Sequence, residues 1–143
     1  MKGGERVLDI GTGSGILAIA ALKLGAAKAE GVDIDPMCVR TAGENAALNG
    51  VQNDLTVLVG DLSEKATGVY DVICANIVAN AIIHLVPNVP ALLAKHGTFL
   101  ASGIIDTRKD EVIAAVQAAG LALREVKEKN GWVALVCGHT GRE

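Results

Sequence analysis

Apolar positions along this chain follow two alternating rhythms. Short runs rich in apolar and β-branched residues occur at 6–10, 29–33, 55–59, 70–75 and 98–102. Between them lie longer segments with helical spacing, at 15–24, 36–49, 79–95 (broken by its prolines) and 108–119. Near-continuous apolar strands separated by helices predict a parallel sheet covered on both faces. Ile16, Leu17, Ile19, Ala20 and Leu24 supply the first helix with its apolar face; Val112, Ile113, Val116 and Ala119 do the same for the last. Gly25, Gly50, Gly97 and Gly120 each follow a helical pattern and precede a strand, as helix-ending glycines do. Asp35-Pro36 reads as an N-cap followed by the first helical residue. The end of the chain departs from the alternation. Two strand-like runs, 121–128 and 132–138, are joined by Asn130-Gly131, a strong hairpin signal. The expected architecture is α/β: a mostly parallel seven-stranded sheet with an antiparallel C-terminal hairpin, in one domain spanning 1–143.

Composition narrows the class. With 143 residues, 50% of them hydrophobic and 20% charged, the chain is sized for one packed core. Tyr70, Phe99 and Trp132 are too few aromatics for a base-stacking platform, and a net charge of -3 offers no basic footprint. No direct nucleic-acid binding is expected. Cys38, Cys74 and Cys137 match no zinc or redox spacing, and His84, His96 and His139 form no metal-binding pair. Three reduced thiols and no metal site are expected. No signal peptide is legible before Arg6, and the apolar region 69–94 is interrupted by Asp71, Asn76, Asn80, His84, Asn88, Pro87 and Pro90. It is no membrane span, so a soluble cytoplasmic protein is expected.

The segment richest in chemistry is Val7-Leu8-Asp9-Ile10-Gly11-Thr12-Gly13-Ser14-Gly15. It reads as an apolar strand carrying an acid, then a glycine loop, then a helix. The glycines are spaced G-x-G-x-G; the dinucleotide pattern G-x-G-x-x-G fails because position 16 is Ile. Such a loop lets backbone N–H groups approach a ligand closely, and the helix start favours a carboxylate or phosphate. With an acid before it, this form suits S-adenosylmethionine, which carries an amino acid where NAD carries a pyrophosphate.

In an open α/β sheet, ligands sit beyond the carboxyl ends of the strands, where strand order reverses. The first strand delivers Asp9 and the loop residues Gly11, Thr12, Gly13 and Gly15; the second delivers Asp33 and Ile34. The third delivers Gly60, Asp61 and Leu62, the fourth Asn76, the fifth Ser102-Gly103. Asp33 stands 20 residues after Gly13, near the separation at which an acid meets ribose hydroxyls; the plain alternative is a strand-end turn. Asp61 can accept from the exocyclic amine of adenine while the Leu62 N–H donates to the ring, or it is an exposed loop acid. Asp9 either meets the methionyl ammonium or only braces the loop. The Asn76 carbonyl oxygen can accept a hydrogen bond from an incoming amine and aim its lone pair at the methyl carbon. Asn cannot remove a proton at neutral pH, so this role is orientation, against a turn-forming Asn as the alternative. Asp35 is structural, Trp132 is expected to pack at the hairpin, and Cys74 belongs to the core.

These segments, together with Gly31-Val32-Asp33-Ile34-Asp35-Pro36, Asn76-Ile77-Val78-Ala79, Ser102-Gly103-Ile104 and Trp132-Val133-Ala134-Leu135, resemble the ribosomal protein L11 methyltransferase (PrmA-like) family across essentially the whole chain. The resemblance implies the Rossmann-like fold of class I S-adenosylmethionine-dependent methyltransferases, whose last strand inserts antiparallel. It implies methyl transfer to lysine side chains and an N-terminal α-amine of a ribosomal protein, leaving S-adenosylhomocysteine. Those amines, with reference pKa values of about 10.4 and 7.7–8, must arrive neutral. Asn76 matches the family's active-site Asn, and Gly11, Gly13, Asp33 and Asp61 its cofactor positions. Two departures matter. Asn76-Ile77-Val78-Ala79 is not the Asn-Pro-Pro-aromatic motif of many amino methyltransferases, which favours a flexible aliphatic amine over a planar one. The family's upstream substrate-recognition domain and the segment leading into its first strand are absent from these residues, so weakened cofactor enclosure and poor recognition of the ribosomal partner are expected. Three other functions compete: a class I methyltransferase for another small molecule, protein or RNA; a NAD(P)-binding domain; and a non-catalytic S-adenosylmethionine-binding fragment.

Overall fold

The apolar runs assemble into one sheet in a computed structural model, which describes residues 2–61, 66 and 68–140. Its strands are β1 (Arg6–Ile10), β2 (Lys28–Asp33), β3 (Leu55–Val59), β4 (Tyr70–Asn76), β5 (Leu93–Ile105), β6 (Leu121–Lys129) and β7 (Trp132–His139). The helices are α1 (Ile16–Lys23), α2 (Pro36–Leu48), α3 (Ala79–Leu85), α4 (Val89–Leu92) and α5 (Lys109–Ala118). The order is β3-β2-β1-β4-β5-β7-β6. β1 to β5 pair in parallel, and β7 lies antiparallel between β5 and β6. The chain winds outward from β1 in one direction to β3 and in the other to β5, so the order reverses between β1 and β4. That is where a crevice opens at the carboxyl ends of the strands.

Strand alternation assigns the two faces. Leu8, Ile10, Ile73, Ala75, Phe99, Ala101 and Leu135 enter the large core with Ile82, Leu85, Val89, Val112 and Val116. Val7 and Ala29 join a smaller cluster with Ala18 and Leu22 of α1. Asp35 caps α2, its Oδ1 accepting the Met37 N–H at 2.9 Å, with Pro36 first in the helix. The hairpin turn places Asn130 at φ 52 and Gly131 at φ 83, the pair of left-handed residues that a tight two-residue turn requires. No helix among the described residues is long and apolar enough to cross a membrane.

Four expectations are corrected. The segment 79–95 is not one broken helix. α3 gives way to a 3₁₀ turn at Val86–Asn88, then to α4, and β5 starts at Leu93. Gly97 consequently ends no helix. It lies buried inside β5, where a Cβ would meet Leu93 Cδ1 at 2.7 Å and the Asp71 carbonyl oxygen at 3.0 Å. In α1 the buried residues are Ala18, Ile19 and Leu22, while Ile16, Leu17, Ala20 and Leu24 are exposed. The helix start sits close to α2, with Gly15 against Ala42, so the inward side begins at Ala18 and Ile19 and leaves Ile16 and Leu17 outside. Trp132 is 56% exposed rather than packed, because it opens β7 at the rim of the sheet opposite Lys129 and Ile105.

A polar tie fastens the other end of the sheet. The Tyr70 hydroxyl donates to Glu30 Oε1 at 2.6 Å, and Arg6 Nη2 donates to Glu30 Oε2 at 2.7 Å. The Arg6 guanidinium also stacks 4.3 Å from the centre of the Tyr70 ring. Tyr70 is fully buried. Glu30→Ala removes both bonds and lowers unfolding free energy by roughly 1–3 kcal/mol, read by urea denaturation. An unchanged midpoint would show the tie to be ornamental.

Candidate active site

The site begins with a carboxylate that folding removes from water. Asp9 is 1% exposed on β1. Thr12 Oγ1 donates to its Oδ2 at 2.8 Å, while Oδ1 has no partner among the described residues. Burial, only partly countered by the Thr12 hydroxyl and the Ala18 N–H, raises this carboxyl to about 6. The loop after β1 lies across the end of β2. The N–H groups of Gly11 and Thr12 donate to the Val32 carbonyl at 2.8 and 3.0 Å, and Gly13 N–H donates to Asp33 Oδ2 at 3.0 Å. Asn45 of α2 holds the loop from above, Nδ2 donating to the Ser14 carbonyl at 2.9 Å.

Asp33 ends β2 half-buried. Its Oδ1 accepts the Asp35 N–H at 3.0 Å, so each carboxylate oxygen holds one backbone donor and keeps lone-pair capacity for another. Gly60 joins the end of β3 to this corner, its N–H donating to the Asp33 carbonyl at 2.9 Å. Above these ends lies a cleft of about 430 Å³, lined by Ile10, Gly11, Val32, Asp33, Ile34, Gly60, Asp61, Ile77, Val78 and Ala81. A larger cavity, about 680 Å³, lies elsewhere, lined by residues 2–5, Asp71, Val72, His96, Thr98 and Leu100. It contains none of the glycine-loop residues and neither Asp33 nor Asp61, and size alone does not make a binding site.

Gly11, Asp33, Ile34 and Asp61 therefore share one cleft, while Asp9, Thr12, Gly13 and Gly15 belong to the adjoining strand and loop but do not line it. Leu62 lies outside the described residues. Asn76 is exposed as the last residue of β4, opposite Ser102, and does not line that cleft; its carboxamide oxygen points to Gly103. The apolar wall of Ile10, Ile77, Val78 and Ala81 was not singled out from sequence; its only signal is the run of small and branched residues that follows Asn76. Burial pushes the Cys74 thiol up to about 12 and the Cys137 thiol up to about 11, so neither is a nucleophile near neutrality. Among the described residues no group of three His, Cys, Asp or Glu is arranged to hold a metal ion.

Known proteins share this sequence pattern and fold. The family model described as ribosomal protein L11 methyltransferase (PrmA) matches residues 1–140. The ribosomal protein L11 methyltransferase of Desulforamulus reducens is 44% identical over 137 residues, covering 96% of this chain and 44% of that protein. That of Symbiobacterium thermophilum is 47% identical over 133 residues, covering 93% of this chain and 43% of that protein. The chain thus spans less than half the length of these curated relatives. Among solved structures, the ribosomal protein L11 methylase of Lactobacillus delbrueckii subsp. bulgaricus superposes with a TM-score of 0.94 at 34% identity, covering 97% of this chain and 72% of that one. A TehB-like SAM-dependent methyltransferase from Corynebacterium glutamicum, 18% identical with a TM-score of 0.79 over 98% of this chain and 83% of that one, shares the fold.

Proposed function

The chain belongs to the ribosomal protein L11 methyltransferase (PrmA) family, and we propose that its cleft binds S-adenosylmethionine and that the domain methylates lysine side chains and the N-terminal α-amine of ribosomal protein L11. One observation carries the choice of ligand: the buried Asp9 with Oδ1 unpartnered beside the glycine loop. A buried carboxylate with one oxygen unpartnered among the described residues calls for a cation. The methionyl end of S-adenosylmethionine brings an ammonium group; a dinucleotide brings only phosphates to such a loop.

When bound, S-adenosylmethionine supplies an electrophilic methyl group on a positively charged sulfur. The chain's own residues supply position. Asp33 uses its remaining lone pairs for the two ribose hydroxyls. Asp61 takes the adenine amine, and Ile34 and Val78 give the ring apolar walls. Gly11, Thr12, Gly13 and Gly15 keep the backbone flush with the ligand. The Asn76 carbonyl oxygen accepts an N–H from the acceptor amine and turns its lone pair toward the methyl carbon. The Asn76 carboxamide takes no proton at neutral pH, so the acceptor amine gives its proton to water before attack.

This has a kinetic signature. Lysine methylation at subsaturating L11 should rise about tenfold per pH unit below a pKa of about 10, whereas α-amine methylation should level off near pH 8. A bell with an acid limb near neutrality would instead indicate a protein base. Calorimetry of this chain with S-adenosylmethionine, and with NADH as the competing ligand, tests the binding step; transfer of labelled methyl to purified L11 tests the reaction. Nicotinamide binding without S-adenosylmethionine binding would overturn the proposal.

A further inference from the structure

The segment carrying Asn76 is gripped by two glycines from opposite sides. Gly11 turns through φ +72, and a Cβ there would stand 2.6 Å from Ile77 Cγ2. Gly103 turns through φ +78, and a Cβ there would stand 2.5 Å from Asn76 Oδ1, 3.3 Å from the Ile77 carbonyl oxygen and 3.5 Å from the Ile77 nitrogen. Neither position has room for a side chain, and neither has a backbone conformation that L residues adopt readily. Gly103 owes its conformation to a bulge. The β5–β7 register shifts between Ala101 and Ile104, while Ser102 stays paired with Asn76 on the β4 side. Bulges bend a strand locally and re-aim what lies beside it. No side-chain hydrogen bond among the described residues holds the Asn76 carboxamide, and its oxygen occupies the space that a Cβ at Gly103 would fill.

We propose that Gly103 is a positioning residue for Asn76: the bulge in β5 sets the direction of the Asn76 carboxamide by leaving room for its oxygen, and Gly11 leaves room for the Ile77 side chain on the other side. The catalytic consequence rests on the methyl-transfer role proposed for Asn76; the positioning itself does not. Gly103→Ala adds a Cβ that would fill that space. Gly120→Ala serves as the control, because Gly120 has φ +92 but nothing within 4 Å of a Cβ, so it imposes backbone strain without touching the site.

Two readouts separate the outcomes. The side-chain amide signals of Asn76 in a ¹H–¹⁵N NMR spectrum are identified by their loss in Asn76→Ala. They should move in Gly103→Ala and stay in place in Gly120→Ala. Methyl transfer to L11 at saturating donor should fall on the order of 10- to 100-fold in Gly103→Ala, with donor affinity by calorimetry unchanged within about twofold. Added to Asn76→Ala, Gly103→Ala should cause no further loss, since it acts through that side chain. Should the alanine variant not fold, Gly103→Asn brings the same Cβ with a residue that tolerates positive φ better. Unmoved Asn76 signals in a folded variant, or losses that multiply in the double variant, would overturn the proposal. Signals that move in a protein whose parent transfers no methyl would leave positioning intact and sink the methyl-transfer role instead.

Discussion

Asp33→Ala should lose S-adenosylmethionine affinity by about 100- to 10,000-fold. A hydrogen bond to a charged group contributes roughly 1.5–3 kcal/mol, and this carboxylate has capacity for two ribose hydroxyls beyond the backbone donors of Gly13 and Asp35. Two such bonds amount to about 3–6 kcal/mol, and each 1.4 kcal/mol is tenfold in binding. Alanine also releases the Gly13 N–H, so the loop loosens along with the ribose. Asp33→Asn keeps the volume and one acceptor oxygen, and should lose roughly tenfold. Calorimetry on both variants gives the ordering; an alanine variant that binds like the parent would remove Asp33 from the site.

Stability of the ligand-free protein should rise on acidification, against the usual trend for a carboxylate. Asp9 is raised from 3.8 to about 6 by burial. Between those values the folded chain holds a proton that the unfolded chain has released. Stability is therefore gained as pH falls from about 6 toward 4 and lost as pH climbs through that window. A shift of this size corresponds to about 3 kcal/mol. Asp9→Asn abolishes this contribution, flattening the curve from urea denaturation between pH 4 and 7. The same variant should weaken donor binding by about 10- to 100-fold, because a neutral amide cannot compensate an ammonium. Full donor affinity in Asp9→Asn would confine Asp9 to bracing Thr12.

The sheet and the acids at its edge were legible because they depend on local signals. Near-continuous apolar runs identify parallel strands, Asn130-Gly131 requires a hairpin, and Asp33 stands a fixed distance from the glycine loop. The inward side of α1 was not legible. Ile16 to Leu22 is apolar all round, so periodicity offers no contrast, and the answer depends on Gly15 packing against Ala42. Gly97 looked like a helix end because Pro87 and Pro90 mask where the helical region stops and β5 starts. The importance of Gly103 depends on a register shift between β5 and β7, set by pairing across about 30 residues of sequence. A one-dimensional pattern holds no trace of such a shift.

The antiparallel insertion of β7 also bears on how this domain is made. β6 reaches the rest of the sheet only through β7, which is built after it yet sits inside it. While the polypeptide is still being synthesised, the outer flank of β5 stays unzipped and β6 has no dock. β6 and β7 therefore join the sheet together, as a hairpin whose β7 strand pairs with β5. Release from the ribosome before residue 139 would leave an open strand edge, prone to sticking to other nascent chains.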